Sequence, residues 1–557
     1  MAEKLSEKVA QVQALWEPTM QTKLLEASDQ LKKRAVLLLV LAVFFVLVAR
    51  AWPNTWDDSG ITLAFSRNLA RYGDIFPTPL NGRVEGYSSF LWMALNALFF
   101  RLGLQENSVV TLAKIISTGF ALINILLFWK LITANLRTPV YRVTALTLFA
   151  INTYTIASAI DGMETSLYAF LVLLTYFLYK RYKTNRAFYL FFTISGALLI
   201  LVRHEGVLFL APFVGEMLIR HRKDFLKEPF LYFWAFVFLT YHLWHYLFFG
   251  ELLTNPMLAK RYWPYRPDFE NWTAFISYYF IPVFDFFFRY IILFICLPIY
   301  YFLRKKPKTG SETRENWTLI NLIVLVSVFL MLITGANWGA AARLSYPGLV
   351  FLLLLLFSKI DDAELFAQSK VLQIGLAFGL LINFVILFES VSQTTPDLIT
   401  LAGVERRASV LVAAKIALGH PEITFAGADM GGLLLYHSDG LKIVDLGLLC
   451  DKELAQNGYA HYDEYVFEQS RPEIIGAVGF WLIPLRQAAE FTRSYFPVMV
   501  ITGRDKQIFY MRKDVIAELK NRYTMPGVIV KPVSTDDIGQ QTLAEFGGYS
   551  ILDLRQH

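Results

Sequence analysis

Apolar runs long enough to cross a bilayer recur along most of this chain, and short loops rich in Lys and Arg separate them. A hydrocarbon core about 30 Å thick takes roughly 20 helical residues to cross, and in lipid every backbone polar group must bond within the segment. Such runs therefore fold as packed helices. They read as spans near 35–51, 109–131, 140–158, 165–180, 188–202, 207–220, 230–249, 283–303, 317–334, 344–357 and 371–388, about eleven in all. Basic loops lie at Lys32–Arg34, Lys130–Arg142, Lys180–Arg186, Arg220–Lys227 and Arg304–Arg314. Placing these in the cytoplasm fixes the direction of each span. The mixed-charge stretch 359–370 adds little to that assignment. The apolar run 87–102 would throw the loops out of phase if it spanned, so it reads as a juxtamembrane helix on the outer side. The first run, led by Lys32-Lys33-Arg34, starts late and has no small-residue cleavage site after it, so it reads as a retained anchor.

The composition narrows the function classes. Hydrophobic residues make up 55% of the 557 and charged residues only 18%, which is a membrane composition. The net charge of +6 is spent in the topology-setting loops, so it does not point to nucleic acid. Cys296 and Cys450 are too separate to read as an intended disulfide. No Cys/His cluster has metal-ligand spacing, no P-loop occurs, and no GxGxxG follows a strand. No cofactor is evident, and the need for a divalent metal stays open.

With the loops oriented in this way, the unusual polar stretches share the outer face. They are Asp57-Asp58, the Arg83–Trp92 stretch with Glu85 and Tyr87, Asp161-Gly162-Met163-Glu164, Arg203-His204-Glu205-Gly206, Asn255 to Arg266, and Asn337 to Arg343 with Trp338. Ionisable groups at helix ends in a membrane are costly and normally functional. Six such loops on one face suggest one active site. Unrelated solvated loops would instead place such residues on both faces. An aspartate held near a sugar hydroxyl is a suitable general base, and a phosphate leaving group needs cations opposite. Asp57 and Asp58 are the candidate bases, and Asp57 is expected to be the more important of the two. As a plain alternative, the pair caps a helix beginning near Ile61. Lys260, Arg343 and Arg203 are the candidate phosphate ligands, with snorkelling at the interface as the plain alternative for the first two. Glu85, Tyr87, Glu164, His204, Glu205, Asn255 and Trp338 are candidate substrate contacts. Arg67, on the amphipathic stretch 63–72, is expected to touch lipid headgroups. His242 and His245 have i, i+3 spacing, which is a weak metal signal.

After Phe388 the character changes. Residues 403–418 read as an amphipathic helix. Glu422–Ala426, Lys442–Leu446, Ile474–Val478 and Val498–Thr502 read as strands. The expected organisation is a cytoplasmic segment 1–34, a membrane unit 35–390 with outer loops and juxtamembrane helices at 52–108, and a soluble outer α/β domain 391–557.

The ordered set Asp57-Asp58, Val84–Trp92, Asp161–Thr165, Arg203–Gly206 and Gly250–Pro256, with Asp445–Asp451 and Arg471-Pro472-Glu473 in the tail, resembles the GT-C glycosyltransferases. The branch it is most similar to is that of the mycobacterial terminal arabinofuranosyltransferases and their bacterial homologues. The resemblance implies a polytopic α-helical membrane protein with a C-terminal extracytoplasmic α/β domain. It implies a polyprenyl-phosphate sugar donor, a glycan or glycolipid acceptor in the cell envelope, and contact with membrane lipids. The location it implies is the bacterial plasma membrane, with the N-terminus cytoplasmic. The family's catalytic position falls on Asp57 and Asp58, and the tail is expected to help bind the acceptor. A transporter or flippase of lipid-linked sugars is the alternative reading, although no internal repeat supports it.

Overall fold

The computed structural model describes residues 28, 30–262, 265, 311–334, 343–362, 420, 422–478, 481–501 and 507–522, with isolated positions 272, 273, 276, 280, 381 and 385. The expected span 283–303, nearly all of the span 371–388, the expected helix 403–418 and Trp338 lie outside the described residues.

The first helix, α1 (Gln30–Ala51), and α4 (Glu106–Asn135) are long and apolar enough to cross a membrane. Between them lie α2 (Asp57–Tyr72) and α3 (Phe90–Arg101). Next come α5 (Pro139–Ala150) and α6 (Thr153–Ile160), which together pass for one span bent by 46°. Asn152 makes the bend. Its Nδ2 closes the end of α5 on the Leu148 and Phe149 carbonyls, while its Oδ1 accepts from the Thr155 N–H to start α6. The helices α7 (Thr165–Thr184), α8 (Tyr189–Val202), α9 (Gly206–His221) and α10 (Pro229–Phe249) follow. A short α11 (Asn255–Ala259), then α12 (Ser311–Thr334) and α13 (Tyr346–Asp362) complete the described helical part. The helices share a core rich in aromatic residues, with Phe44, Phe65, Trp92, Phe128, Phe149, Tyr168 and Phe192 fully buried.

The C-terminal part is a five-stranded sheet in the order β2-β1-β3-β5-β4. Its strands are β1 (Ile423–Gly427), β2 (Leu441–Asp445), β3 (Ile474–Val478), β4 (Tyr495–Ile501) and β5 (Gln507–Arg512). The first three are parallel, and β5 runs antiparallel to both β3 and β4. Helices α14 (Gly431–His437), α15 (Lys452–Asn457), α16 (Leu482–Gln487), α17 (Ala489–Ser494) and α18 (Lys513–Arg522) surround it, with a π-helical turn at Asp463–Ser470.

Side chains alternate along a strand, so the sheet has two distinct faces. Ile423, Phe425, Leu441, Ile443, Ile474, Phe509 and Met511 face the core of the helical bundle. Ala426, Val444, Ile475 and Tyr510 face a second core that also holds Ala259 and Tyr265 from the loop after α10. The sheet is thus buried on both faces and joined to the bundle through one of them.

Candidate active site

Helix α2 begins at Asp57 rather than near Ile61, and neither aspartate caps it. The two carboxylates part company because neighbouring positions on a helix point about 100° apart. Asp57 is 3% exposed and turns to the C-terminal unit. There its Oδ2 accepts from the Gly431 N–H at 2.7 Å and its Oδ1 from the Gly432 N–H at 2.8 Å. Asp58 keeps a third of its side chain exposed (34%) and accepts from Arg343 Nη1 at 3.4 Å. It lines a cavity with Trp56, Tyr154, Ser158, Asp161, Met163, Thr165, Arg343 and Tyr346. The cavity volume is about 20 Å³, room for one water. Of the pair, Asp58 is the more exposed and the one that lines the cavity.

The opposite wall is the loop 161–166, and its shape is fixed by donors from neighbouring helices. Gly162 takes φ +70°, a left-handed conformation that costs glycine nothing. Its carbonyl accepts from the Trp92 indole at 3.0 Å. Ser117, Thr118 and Asn124 of α4 donate to the carbonyls of Met163, Ala159 and Ser166. Asp161 accepts from the Met163 N–H at 2.8 Å and from Thr165 Oγ1 at 3.4 Å. Burial pushes its carboxyl up to about 8, beyond what the opposing pull of Arg343 and these hydrogen bonds offsets.

Behind this loop sits a buried network of opposite charges. Glu164 is fully buried and paired with Arg203, which also reaches Glu205 at 3.3 Å. Burial alone would raise the Glu205 carboxyl, but Arg203 and Lys260 outweigh it and hold it down at about 2. The protein packed around Lys260 pushes its ammonium down to about 8, with Arg343 and Arg203 adding to the effect and Glu205 and Asp58 opposing it. Asp58, Glu164, Arg203, Glu205, Lys260 and Arg343, expected from five separate loops, therefore belong to one electrostatic neighbourhood. The Arg343 Nε is buried and lacks a hydrogen-bond partner among the described residues, as do Glu164 Oε2 and Asn255 Nδ2.

Other expected residues gather around α10. Glu85 is buried and accepts from Tyr241 Oη at 3.2 Å and from His245. His245 also meets the Glu251 carbonyl at 2.6 Å, so it orients a loop and does not pair with His242. His204 packs its ring against Tyr241 and His242 at centroid distances of 5.2 and 5.5 Å. Tyr87 packs edge-on to Phe65 at 5.4 Å. These four form a second polar cluster beside α10. Among the described residues, no three His, Cys, Asp or Glu converge as a metal-holding group.

Two expectations are corrected. The stretch 63–72 is covered by protein for most of its length, since Leu63, Ala64, Phe65, Ser66, Arg67, Asn68 and Ala70 are all buried. Arg67 touches no headgroup. It is 2% exposed and donates to the Leu434 and Leu435 carbonyls and to Ser438. Sequence reasoning also missed Asp161, Tyr154, Ser158 and Tyr346. Asp161 stood inside a motif already singled out, whereas the other three are neutral residues on apolar helices and carry no signal of their own.

No protein-family model matches the chain, and no curated protein matches it. Among solved structures, ArnT from Cupriavidus metallidurans in the apo state is similar over 86% of this chain and 98% of its own, at 12% identity and a TM-score of 0.49. The apo oligosaccharyltransferase of Archaeoglobus fulgidus is similar over 83% of this chain and 73% of its own, at 11% identity and a TM-score of 0.47. ArnT bound to undecaprenyl phosphate is similar over 85% and 97% respectively, at 12% identity and a TM-score of 0.44.

Proposed function

We propose that this chain is an integral-membrane glycosyltransferase of the GT-C type. It transfers a sugar from a polyprenyl-phosphate donor to a glycan or glycolipid acceptor on the outer side of a bacterial plasma membrane. The observation that carries the proposal is the pairing of an accessible carboxylate, Asp58, with Arg343 at a cavity whose surroundings include Lys260 and Arg203. A base beside a set of cations is what sugar transfer from a phosphate requires.

In the proposed reaction Asp58 accepts the proton of an acceptor hydroxyl as its oxygen bonds to the anomeric carbon. The bond from that carbon to the phosphate oxygen breaks, and its electron pair leaves on the polyprenyl phosphate. Arg343 and Lys260 face the charge that grows there, in a site where protein displaces water and a fixed cation is worth more. Arg203 holds Glu164 and Glu205 and tunes the field around Lys260. Asp161 supplies a second carboxyl on the cavity wall, protonated at neutral pH, that can donate a hydrogen bond to the sugar. The donor is a hexose or pentose. The resemblance to the arabinofuranosyltransferase branch makes a pentofuranosyl donor the first to assay.

The test uses purified protein in detergent, a labelled polyprenyl-phosphate sugar and a panel of envelope glycans. The expected result is labelled acceptor with an equal amount of free polyprenyl phosphate. Donor moved intact across a reconstituted bilayer, with no cleavage in either preparation, would favour the transporter reading instead.

A further inference from the structure

Helix α14 of the C-terminal unit lies along α2 and is held at both ends by it. Asp57 receives the first two N–H groups of α14, which no helix can satisfy internally. Further along α2, about 15 Å away at 1.5 Å per residue, Arg67 donates to the carbonyls of Leu434 and Leu435 and to the Ser438 hydroxyl at the other end. An anion at the N-terminus and a cation at the C-terminus both suit the helix dipole. The approach is close. A Cβ on Gly431 would overlap the Asp57 carbonyl oxygen, so this contact requires glycine.

The same unit grips the rest of the first outer loop. Asn81 exchanges two hydrogen bonds with Ile443, at 2.9 and 3.0 Å, and so extends β2 at the sheet edge. Gly86 packs between Cys450 and Phe65, where a Cβ would stand 2.5 Å from Sγ.

It also grips the loop that carries Lys260. Lys452 donates to the Phe249 carbonyl at 2.9 Å, and Gln456 bonds both Glu251 and Tyr262. Tyr265 donates to the Gly447 carbonyl at 2.7 Å. Ala259 and Tyr265 lie in the sheet's second core.

We infer that the C-terminal sheet unit is a jig for the reaction: it docks α2 through Asp57 and Arg67 and docks the 250–262 loop through α15, and so sets the position of Asp58 relative to Lys260. Asp57 and Arg67 are positioning residues, and Arg67 acts on the chemistry from well outside the cavity. The inference rests on the proposed reaction for its kinetic readout only, since the docking itself can be measured without activity.

The experiment uses full-length protein carrying Arg67→Ala, Arg67→Lys, Asp57→Asn, Lys452→Ala or Asp57→Asn with Arg67→Ala. Turnover per folded molecule is measured against pH, and hydrogen exchange is followed over 57–72 and 250–262. Arg67→Ala is expected to lower kcat about tenfold with little change in donor KM, since a small misplacement of a catalytic group is expensive. Arg67→Lys recovers part of the loss. The double variant falls short of the product of the single effects, because both act through one docked helix. Exchange over 57–72 rises in Arg67→Ala, and exchange over 250–262 rises in Lys452→Ala. Asp57→Asn lowers the rate only in part, whereas Asp58→Asn removes the activity.

Unchanged exchange in Arg67→Ala overturns the docking. Raised exchange with a wild-type kcat shows that docking does not reach the site, and overturns the inference too. So does complete loss of activity in Asp57→Asn while Asp58→Asn stays active. If the wild-type protein cleaves no polyprenyl-phosphate sugar, the proposed function fails, and the exchange data alone then decide whether the jig exists.

Discussion

Asp57 and Asp58 show what a single residue can and cannot reveal. The pair stands out in the sequence. Which of the two carboxylates is tied up is decided by Gly431 and Gly432, which lie 374 and 375 positions away from Asp57. No local pattern carries that information. Arg203, Glu205, Lys260 and Arg343 were legible because charged residues flush with apolar helix ends need a reason to be there. Arg343→Ala and Lys260→Ala should each lower turnover per folded molecule at least tenfold, about 1.4 kcal/mol of transition-state stabilisation. Arg343→Lys should recover only part, since Lys lacks the planar fork. An unchanged rate with poorer membrane insertion would return both residues to the snorkelling role. The pH dependence follows from Lys260, whose ammonium loses its proton near 8 instead of 10.5. The cation is present below that pH, so turnover should fall as pH rises through about 8. Stability should move the other way. Between those two values the unfolded chain binds the extra proton, so deprotonation favours the folded state. Lys260→Arg should carry the alkaline limb of a pH–rate profile beyond the measurable range, because arginine keeps its charge. Asp161→Asn should leave that limb in place. If Asp161→Asn removes it, the titrating group is Asp161.

At the scale of elements, the strands were legible and the docking was not. Apolar runs bounded by turns located β1 to β4 within a few residues. β5, Gln507–Arg512, went unread; it takes its place in the sheet by pairing antiparallel with β3 and β4. Helix α2 was misread for a related reason. Its polar residues Arg67 and Asn68 suggested a solvated face, but α14 and the Phe76 and Pro77 carbonyls cover them. Helix α3 supplies a test at this scale. Trp92 is fully buried and its indole is a hydrogen-bond donor to the Gly162 carbonyl. Trp92→Phe should cost about 1–3 kcal/mol, as expected for an orphaned buried carbonyl. A lowered midpoint in thermal unfolding, with a further loss of kcat from the loosened 161–166 wall, is the expected outcome. A wild-type midpoint would mean that this hydrogen bond does not hold the loop.

Across the whole molecule, the membrane helices supply the apolar setting, and the sheet unit joins them through a shared core. The basic loops predict that the N-terminus is cytoplasmic and the sheet unit outside. A reporter fused after Gln556 should be active only on the outer side, and cytoplasmic activity would reverse the topology. The contacts also alter the expectation for a truncation. A tail that only helps bind the acceptor would, when lost, damage transfer to a large glycan more than hydrolysis of the donor. Because it holds both α2 and the 250–262 loop, removing residues 396–557 should impair hydrolysis of the donor as well as transfer. The central claim is that Asp58, held opposite Arg343, activates the acceptor for displacement of a polyprenyl phosphate. Its most direct test is the rate at which purified protein releases polyprenyl phosphate from a labelled polyprenyl-phosphate sugar in the presence of acceptor, compared between wild type and Asp58→Asn at equal folded concentration. Rapid release by the wild type, with a loss of at least a hundredfold in a variant that still binds donor, is the predicted result. Equal release by the two proteins would contradict the account.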